Sequence, residues 1–292
     1  MGERGIVEAG SSASLPRFLA APLPRSFAQS WRNNPLKPAM PDLLNWMLVF
    51  LRAGGLMAIF PVFSATNFPP QLRVALAAAV SLLVAPLLPA TIMAGLDFWG
   101  VAGLMTMEVA FGLLLGFISR MLFYALEIAG GLIATEMGLM VPGGVNPLST
   151  APTSVIATIL QYMGAMLFLS LNLHHGLLVA FQRSYQFLPV GGGHLRESLL
   201  LDVAGRTSHL FIFALQMAAP ILAISFIITL VFAVLGRAVP QMNVFSESFA
   251  IKLLTGMTVF GLTCQLMAQH IANFLFRLPE DMLRVAQLLG AK

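Results

Sequence analysis

Residues 137–182 read MGLMVPGGVNPLSTAPTSVIATILQYMGAMLFLSLNLHHGLLVAFQ, without one Asp, Glu, Lys or Arg. A run that long exceeds the roughly twenty apolar residues of a spanning helix and belongs in or beside a bilayer. It is nevertheless interrupted by Pro142-Gly143-Gly144-Val145-Asn146-Pro147 and again by Pro152. Irregular backbone at membrane depth persists only where other protein covers it or where it lines a cavity. The stretch therefore predicts an assembled, pathway-forming membrane protein.

The rest of the chain agrees. Hydrophobic residues make up 58% and charged residues 10%, against about a quarter charged in an ordinary soluble domain. Thr207–Gly236 and Leu253–Phe276 are further uncharged windows of spanning length, and Ala53–Leu72 and Val74–Leu96 approach it but contain prolines. The single cysteine, Cys264, excludes an intramolecular disulfide framework, and in an apolar helix it reads as a small buried side chain. A net charge of +4, dispersed among helix ends and loops, suits a membrane surface and forms no nucleic-acid-like patch.

Residues 1–39 differ in kind. They carry Arg4, Arg17, Arg25, Arg32 and Lys37 with five prolines, and read as a disordered basic arm or as an over-called start with initiation at Met40. Their apolar patch, Leu15–Leu23, is cut by Arg17 and Pro22, which argues against a signal peptide. Beyond it the pattern predicts an all-α, polytopic membrane protein built of helical hairpins. Helices are expected over Leu43–Phe60, Pro70–Leu88, Gly100–Tyr124, Leu126–Met140, Thr153–Leu173, Gly176–Phe187, Gly205–Gly236 and Phe249–Phe276. Pro220 is expected to kink the seventh, and a short amphipathic helix, Glu280–Leu289, to follow Pro279. Arginines fall at too many loops for the positive-inside rule to set an orientation.

The clearest packing signal is Glu108, Gly112, Gly116 and Arg120, each step about 40° further around the helix. Such glycines admit a close neighbouring backbone. Gly130, Ala134 and Gly138 repeat the idea. Two partners fit this spacing, another helix of the same chain or a neighbouring subunit. Arg120 and Glu127 share a face and fit an ion pair, whereas Glu127 and Glu136 point oppositely and cannot form a carboxylate pair. Arg52 reads as a hydrogen-bond anchor for a neighbouring loop. His174-His175 lack the i, i+4 spacing with which two imidazoles share a metal. Ser225, Ser246 and Ser248 have no His–acid arrangement beside them. No catalytic, cofactor or metal constellation emerges, so a non-enzyme is expected. In the turn Pro240-Gln241-Met242-Asn243-Val244-Phe245, the amides of Gln241 and Asn243 are suited to bonding a neighbouring element.

In combination, Ala219-Pro220, the run to Leu235-Gly236-Arg237, and Pro240–Phe245 with Lys252 resemble the C-terminal block of the FliR/SctT family of type III secretion export-gate proteins. Glu108 with Gly112 and Gly116 is similar to the family's middle helix. Asn146-Pro147, His174-His175 and Ser184 through Pro189-Val190-Gly191 are similar to its central block. The resemblance covers about 41–289. Two departures stand out: Asn146 where the family often has Asp, and Ser248 where Gly is usual. The resemblance implies a core subunit of the flagellar export gate in the inner membrane and basal body, passing unfolded substrates. Its implied partners are FliP-type and FliQ-type gate subunits and FlhB-type and FlhA-type export components. Residues 40–204 would be FliP-like, 205–277 a FliQ-like hairpin and 278–292 an amphipathic tail. The family's plug maps onto 138–149, with Leu139, Met140 and Val141 as sealing residues beside Pro142, Gly143, Gly144, Asn146 and Pro147. Subunit contacts would involve the glycine stripes and, at the hairpin tip, Pro240, Gln241, Asn243, Phe245 and Lys252. A virulence-type gate with other cargo is the nearest alternative. A small-solute secondary transporter is more distant, because neither inverted repeats nor a convergent polar site is visible.

Overall fold

In the computed structural model the chain divides into two units, Met1–Ala39 and Met40–Lys292. The residues described are 43–64, 69–88, 97–139, 154–193, 197–239, 241 and 243–290. They form eight α-helices and one 3₁₀ turn: α1 Leu43–Ile59, α2 Pro61–Ser64, α3 Pro70–Val84 with Ala85–Leu87 continuing as 3₁₀, α4 Phe98–Glu136, α5 Val155–Ser170, α6 Leu173–Phe187, α7 Glu197–Ala238 and α8 Val244–Gly290. No strand occurs among the described residues. Four helices are long and apolar enough to cross a membrane, and α5 with α6, bent by 75°, makes up to five. The protein is an all-α polytopic membrane protein.

Local chemistry sets the helix ends. Asp97 caps α4 by accepting from the Phe98 amide at 2.8 Å. Pro69 and Pro70 open α3, where the missing N–H costs nothing. At the end of α4, Gly138 takes φ +71°, its amide reaches Thr135 O, and the Leu139 amide reaches back to Ala134 O at 2.8 Å. This pair of bonds is a Schellman closure, which favours glycine at the left-handed position. Ser154 works twice. Its hydroxyl accepts from the Ala157 amide to cap α5 and donates to Gly130 O of α4, both at 3.1 Å. Asn172, at φ 54°, turns the chain between α5 and α6.

Three expected boundaries are corrected. Gly100–Tyr124 and Leu126–Met140 are one helix, α4, because no proline or terminating glycine separates them and Ala125 lies fully buried in the seam. Phe249–Phe276 and Glu280–Leu289 are likewise one helix, α8, which continues through Pro279. Proline in a helix interior costs about 3 kcal/mol. Here Leu275, Leu278, Met282, Val285 and Leu289 are buried on both sides of it, and α8 packs along α6. Burying several such side chains at about 1.5–3 kcal/mol each outweighs the proline. The third boundary is the start of α7, which lies at Glu197 rather than Gly205, and α7 runs on through Pro220.

α4 is the axis of the bundle, packing on α1, α5, α7 and α8. Its buried line of Phe111, Leu115, Leu122, Leu126, Ala129 and Ile133 meets Val49 and Ala53 of α1, Leu160 and Phe168 of α5, and Ile221 of α7 within one core. α7 and α8 form an antiparallel hairpin against it.

Candidate functional site

The glycine stripe of α4 is occupied by the chain's own α1. A methyl group at Gly112 would stand 2.2 Å from Arg52 O, and one at Gly116 would stand 2.8 Å from Leu56 O. Gly55 of α1 is equally tight, 2.9 Å from Leu113 N. Gly130 meets α5, with Ala157 Cα 2.2 Å from the position of a methyl. Ala134 is fully buried. Gly138 is the terminator of α4 described above, and its missing side chain makes room for the Phe249 ring. Of the two partners the spacing allowed, helices of the same chain fill these positions.

Where α1 and α4 touch this closely, a buried ion pair joins them. Arg52 Nε and Nη2 grip the two oxygens of Glu108 at 2.6 and 2.9 Å, and both side chains are fully buried. The remaining Arg52 donor, Nη1, reaches Leu188 O at 3.1 Å in the segment after α6. Tyr185 lies flat beneath the guanidinium at 3.9 Å. One arginine thus ties three parts of the chain together, by bidentate pairing, a carbonyl bond and a cation–π contact. The sequence marks Arg52 and Glu108 as lone charges in apolar helices, but only their positions in space make them partners.

A second polar group forms where α4 ends and 138–149 begins. Ser225 Oγ of α7 donates to Glu136 Oε2 at 2.6 Å, and Lys252 Nζ of α8 stands 3.9 Å from the same oxygen. Met137 fills the space over Gly256, and Phe249 fills the space over Gly138. The last turn of α4 is therefore held by both arms of the hairpin. Ser225 is thus a hydroxyl donor to a carboxylate. Lys252, expected as a tip contact, faces Glu136 of its own chain.

At the far end of the hairpin lies a third polar group. Arg206 bonds Asp202 at 2.6 Å and Asp281 at 2.5 Å, and Arg284 Nε stands 3.2 Å from Asp202. These charges fasten the beginning of α7 to the end of α8, just outside the uncharged window beginning at Thr207.

The remaining candidates are less assembled. Leu139 packs partly buried against the core, while Met140, Val141, Pro142, Gly143, Gly144, Asn146 and Pro147 lie outside the described residues, as does Pro240. The Phe245 side chain does so too. Gln241 is exposed, and Asn243 accepts weakly from the Ser246 amide at 3.4 Å, capping α8. Arg120 lies over the Tyr124 ring at 5.1 Å instead of pairing with Glu127. The His174 and His175 rings sit 4.1 Å apart, and no cluster of three possible metal ligands occurs among the described residues.

Much apolar surface is left uncovered. Phe211, Leu215, Phe226, Leu230 and Val234 of α7, and Leu254, Met257, Leu262 and Leu266 of α8, are all strongly exposed. At 1.5 Å per residue, the 42 residues of α7 and 47 of α8 extend about 60–70 Å, twice the ~30 Å hydrocarbon thickness of a bilayer.

This arrangement has counterparts. The family model for bacterial export proteins, family 1, matches residues 43–278. The chain is 27% identical over 253 residues to the flagellar biosynthetic protein FliR of Escherichia coli K12, covering 84% of this chain and 97% of that protein. It is 29% identical to the FliR of Pectobacterium carotovorum, covering 83% and 95%, and 26% identical to that of Bacillus subtilis, covering 84% and 95%. The matched span runs from the first turn of α1, through the Arg52–Glu108 tie and the hairpin, to the buried end of α8, and so the chain belongs to the family of bacterial export proteins, family 1.

Proposed function

We propose that this protein is a core subunit of the flagellar protein export gate, assembling with FliP-type and FliQ-type subunits into a channel for unfolded substrates. The observation that carries the reading is the family match along 43–278, with FliR relatives aligned over almost their whole length. The uncovered faces of α7 and α8 support it. Lipid spans only about half of such helices, so neighbouring protein is the remaining cover for their apolar length. A role without catalysis follows, in which the chain shapes and seals a path. FlhB-type and FlhA-type components complete the proposed setting, in the inner membrane at the flagellar base.

Within that reading, 40–204 is the FliP-like part, 205–277 is the FliQ-like hairpin, and 138–149 is the plug. Leu139, Met140 and Val141 are apolar residues of the kind that hold a narrow pore dry. The hairpin tip at Pro240, Gln241, Asn243 and Phe245 is proposed to contact a neighbouring subunit.

The deciding experiment is deletion of the gene in its own host, with complementation. Loss of filaments and of flagellar substrates from the medium, both restored by the intact gene, is the expected result. Normal flagella together with loss of another secreted set of proteins would move the assignment to the virulence-type gate. Conductance of membranes carrying the assembled gate tests the plug: deleting 139–146 should raise it, and an unchanged conductance in an intact assembly removes the plug assignment.

A further inference from the structure

Beneath α3, where α5 and α6 bend apart by 75° around Asn172, a cavity of about 200 Å³ remains. Its walls come from α1, α2, α3, α5 and α6, and four phenylalanines stand in them: Phe60, Phe63, Phe168 and Phe181. Among the described lining residues one is polar. His174 contributes its imidazole, and Nδ1 is shut off from solvent without a hydrogen-bond partner.

An orphaned ring nitrogen at an apolar wall is costly, and in the tautomer that carries its proton at Nδ1 it is a donor in want of an acceptor. Water is a poor remedy here, since a buried water needs two to four polar partners and this cavity offers one. Apolar cavities of about 150 Å³ stay dry and take up benzene-sized molecules. The volume, the aromatic walls and the single polar nitrogen together suit a flat ring with one carbonyl turned toward His174 and a second turned to the open side. Access is from the side. Leu178, itself a wall residue, is 38% exposed, and α3, long and apolar enough to span, exposes Leu72, Val74, Leu82 and Leu83. The approach to the cavity is thus apolar, suited to a ligand with an apolar tail.

We propose that this cavity is a binding site for a lipid-soluble ring head of quinone type, its carbonyl accepting from His174 Nδ1–H and its ring packed among Phe60, Phe168 and Phe181. No redox step is implied; the site holds the ring. The inference rests on the cavity and its apolar approach and stands apart from the export-gate reading.

The test is equilibrium dialysis of the purified full-length protein, within its assembly where one forms, against menadione and against 2-methylnaphthalene, which lacks the carbonyls. Saturable menadione binding is expected, weakened about tenfold by His174→Phe, the equivalent of one modest hydrogen bond. Binding of 2-methylnaphthalene should be the same in wild type and His174→Phe. Leu177→Trp and, independently, Val80→Phe fill the cavity from different helices and should abolish binding of both probes. Thermal unfolding identifies which filled variant keeps its fold. Menadione uptake that does not saturate, that survives a folded filled variant, or that is indifferent to His174→Phe overturns the proposal.

Discussion

The two halves of α8 are one continuous helix with opposite relations to the rest of the chain. From Met267 to Leu289 a line of apolar residues is buried, Ile271, Leu275, Met282, Val285 and Ala286 among them, against α6 and α7. From Val244 to Leu266 the described side chains are mostly outward, and Ile251, Leu254, Met257 and Leu262 lie between 44% and 79% exposed. The two halves are similarly apolar to read. What differs is supply: α6 lies beside the second half, whereas no further helix among the described residues lies beside the first. Burial by the chain itself therefore shows which parts of the helix are finished within the molecule and which await lipid or other protein.

The comparison can be broken most forcefully at the finished end of the molecule. Removing one member of the fully buried Arg52–Glu108 pair, as in Arg52→Met or Glu108→Leu, should destabilise the protein by about 3–5 kcal/mol, because the other charge is left buried alone. The double variant should recover a large share of that loss. Protease resistance and thermal unfolding of the purified assembly measure both, and single variants as stable as wild type would show the pair to be dispensable.

A gentler contrast uses two glycines. Gly130→Ala places a methyl against Ala157 backbone and should cost roughly 1–3 kcal/mol as overpacking. Gly261, in the exposed half of α8, has nothing within 4 Å of an added methyl, so Gly261→Ala should be neutral or stabilising by up to about 1 kcal/mol through helix propensity. Equal unfolding midpoints for the two variants would erase the distinction between the regions.

Ser225→Ala should cost about 1–3 kcal/mol, since the half-buried Glu136 carboxylate loses its 2.6 Å donor. Lys252→Met should cost less, roughly 0.2–1 kcal/mol, as a partly exposed pair at 3.9 Å. Hydrogen exchange in the last turn of α4 would rank them, and a larger effect of Lys252→Met would reverse the assignment of the main support.

Leu254→Ser is expected to have the smallest effect on the chain's own stability, within about 0.5 kcal/mol for an exposed position. Its effect should instead be on co-purification with the proposed FliP-type and FliQ-type partners. Unchanged recovery of both partners would show that lipid, and not protein, covers that face.

Much of this architecture is legible in the residues. The uncharged windows identify the apolar helices, and the Glu108–Arg120 spacing identifies a close contact on α4. Spacing alone leaves the partner open, since a four-residue glycine repeat has the same form whether α1 or another subunit approaches it. The break expected at Pro279 follows a local signal, whereas the one expected at residue 125 does not. Tertiary burial on both sides of Pro279 outweighs its lost hydrogen bond, and position 125 carries no breaking residue at all.

By itself the sequence determines composition and hydrophobic length, and with them a membrane protein of long helices; the caps at Asp97, Gly138 and Ser154 are also local, although residue pattern alone does not single them out. These are properties of short windows, governed by solvation and by backbone conformation within a few residues. Only the tertiary structure decides that Arg52 finds Glu108 across 56 positions, that Ser225 finds Glu136 across 89, and that the bend at Asn172 leaves room beside His174. Such pairings depend on which helices lie side by side, and that is settled by the combined burial of all of them rather than by any single stretch.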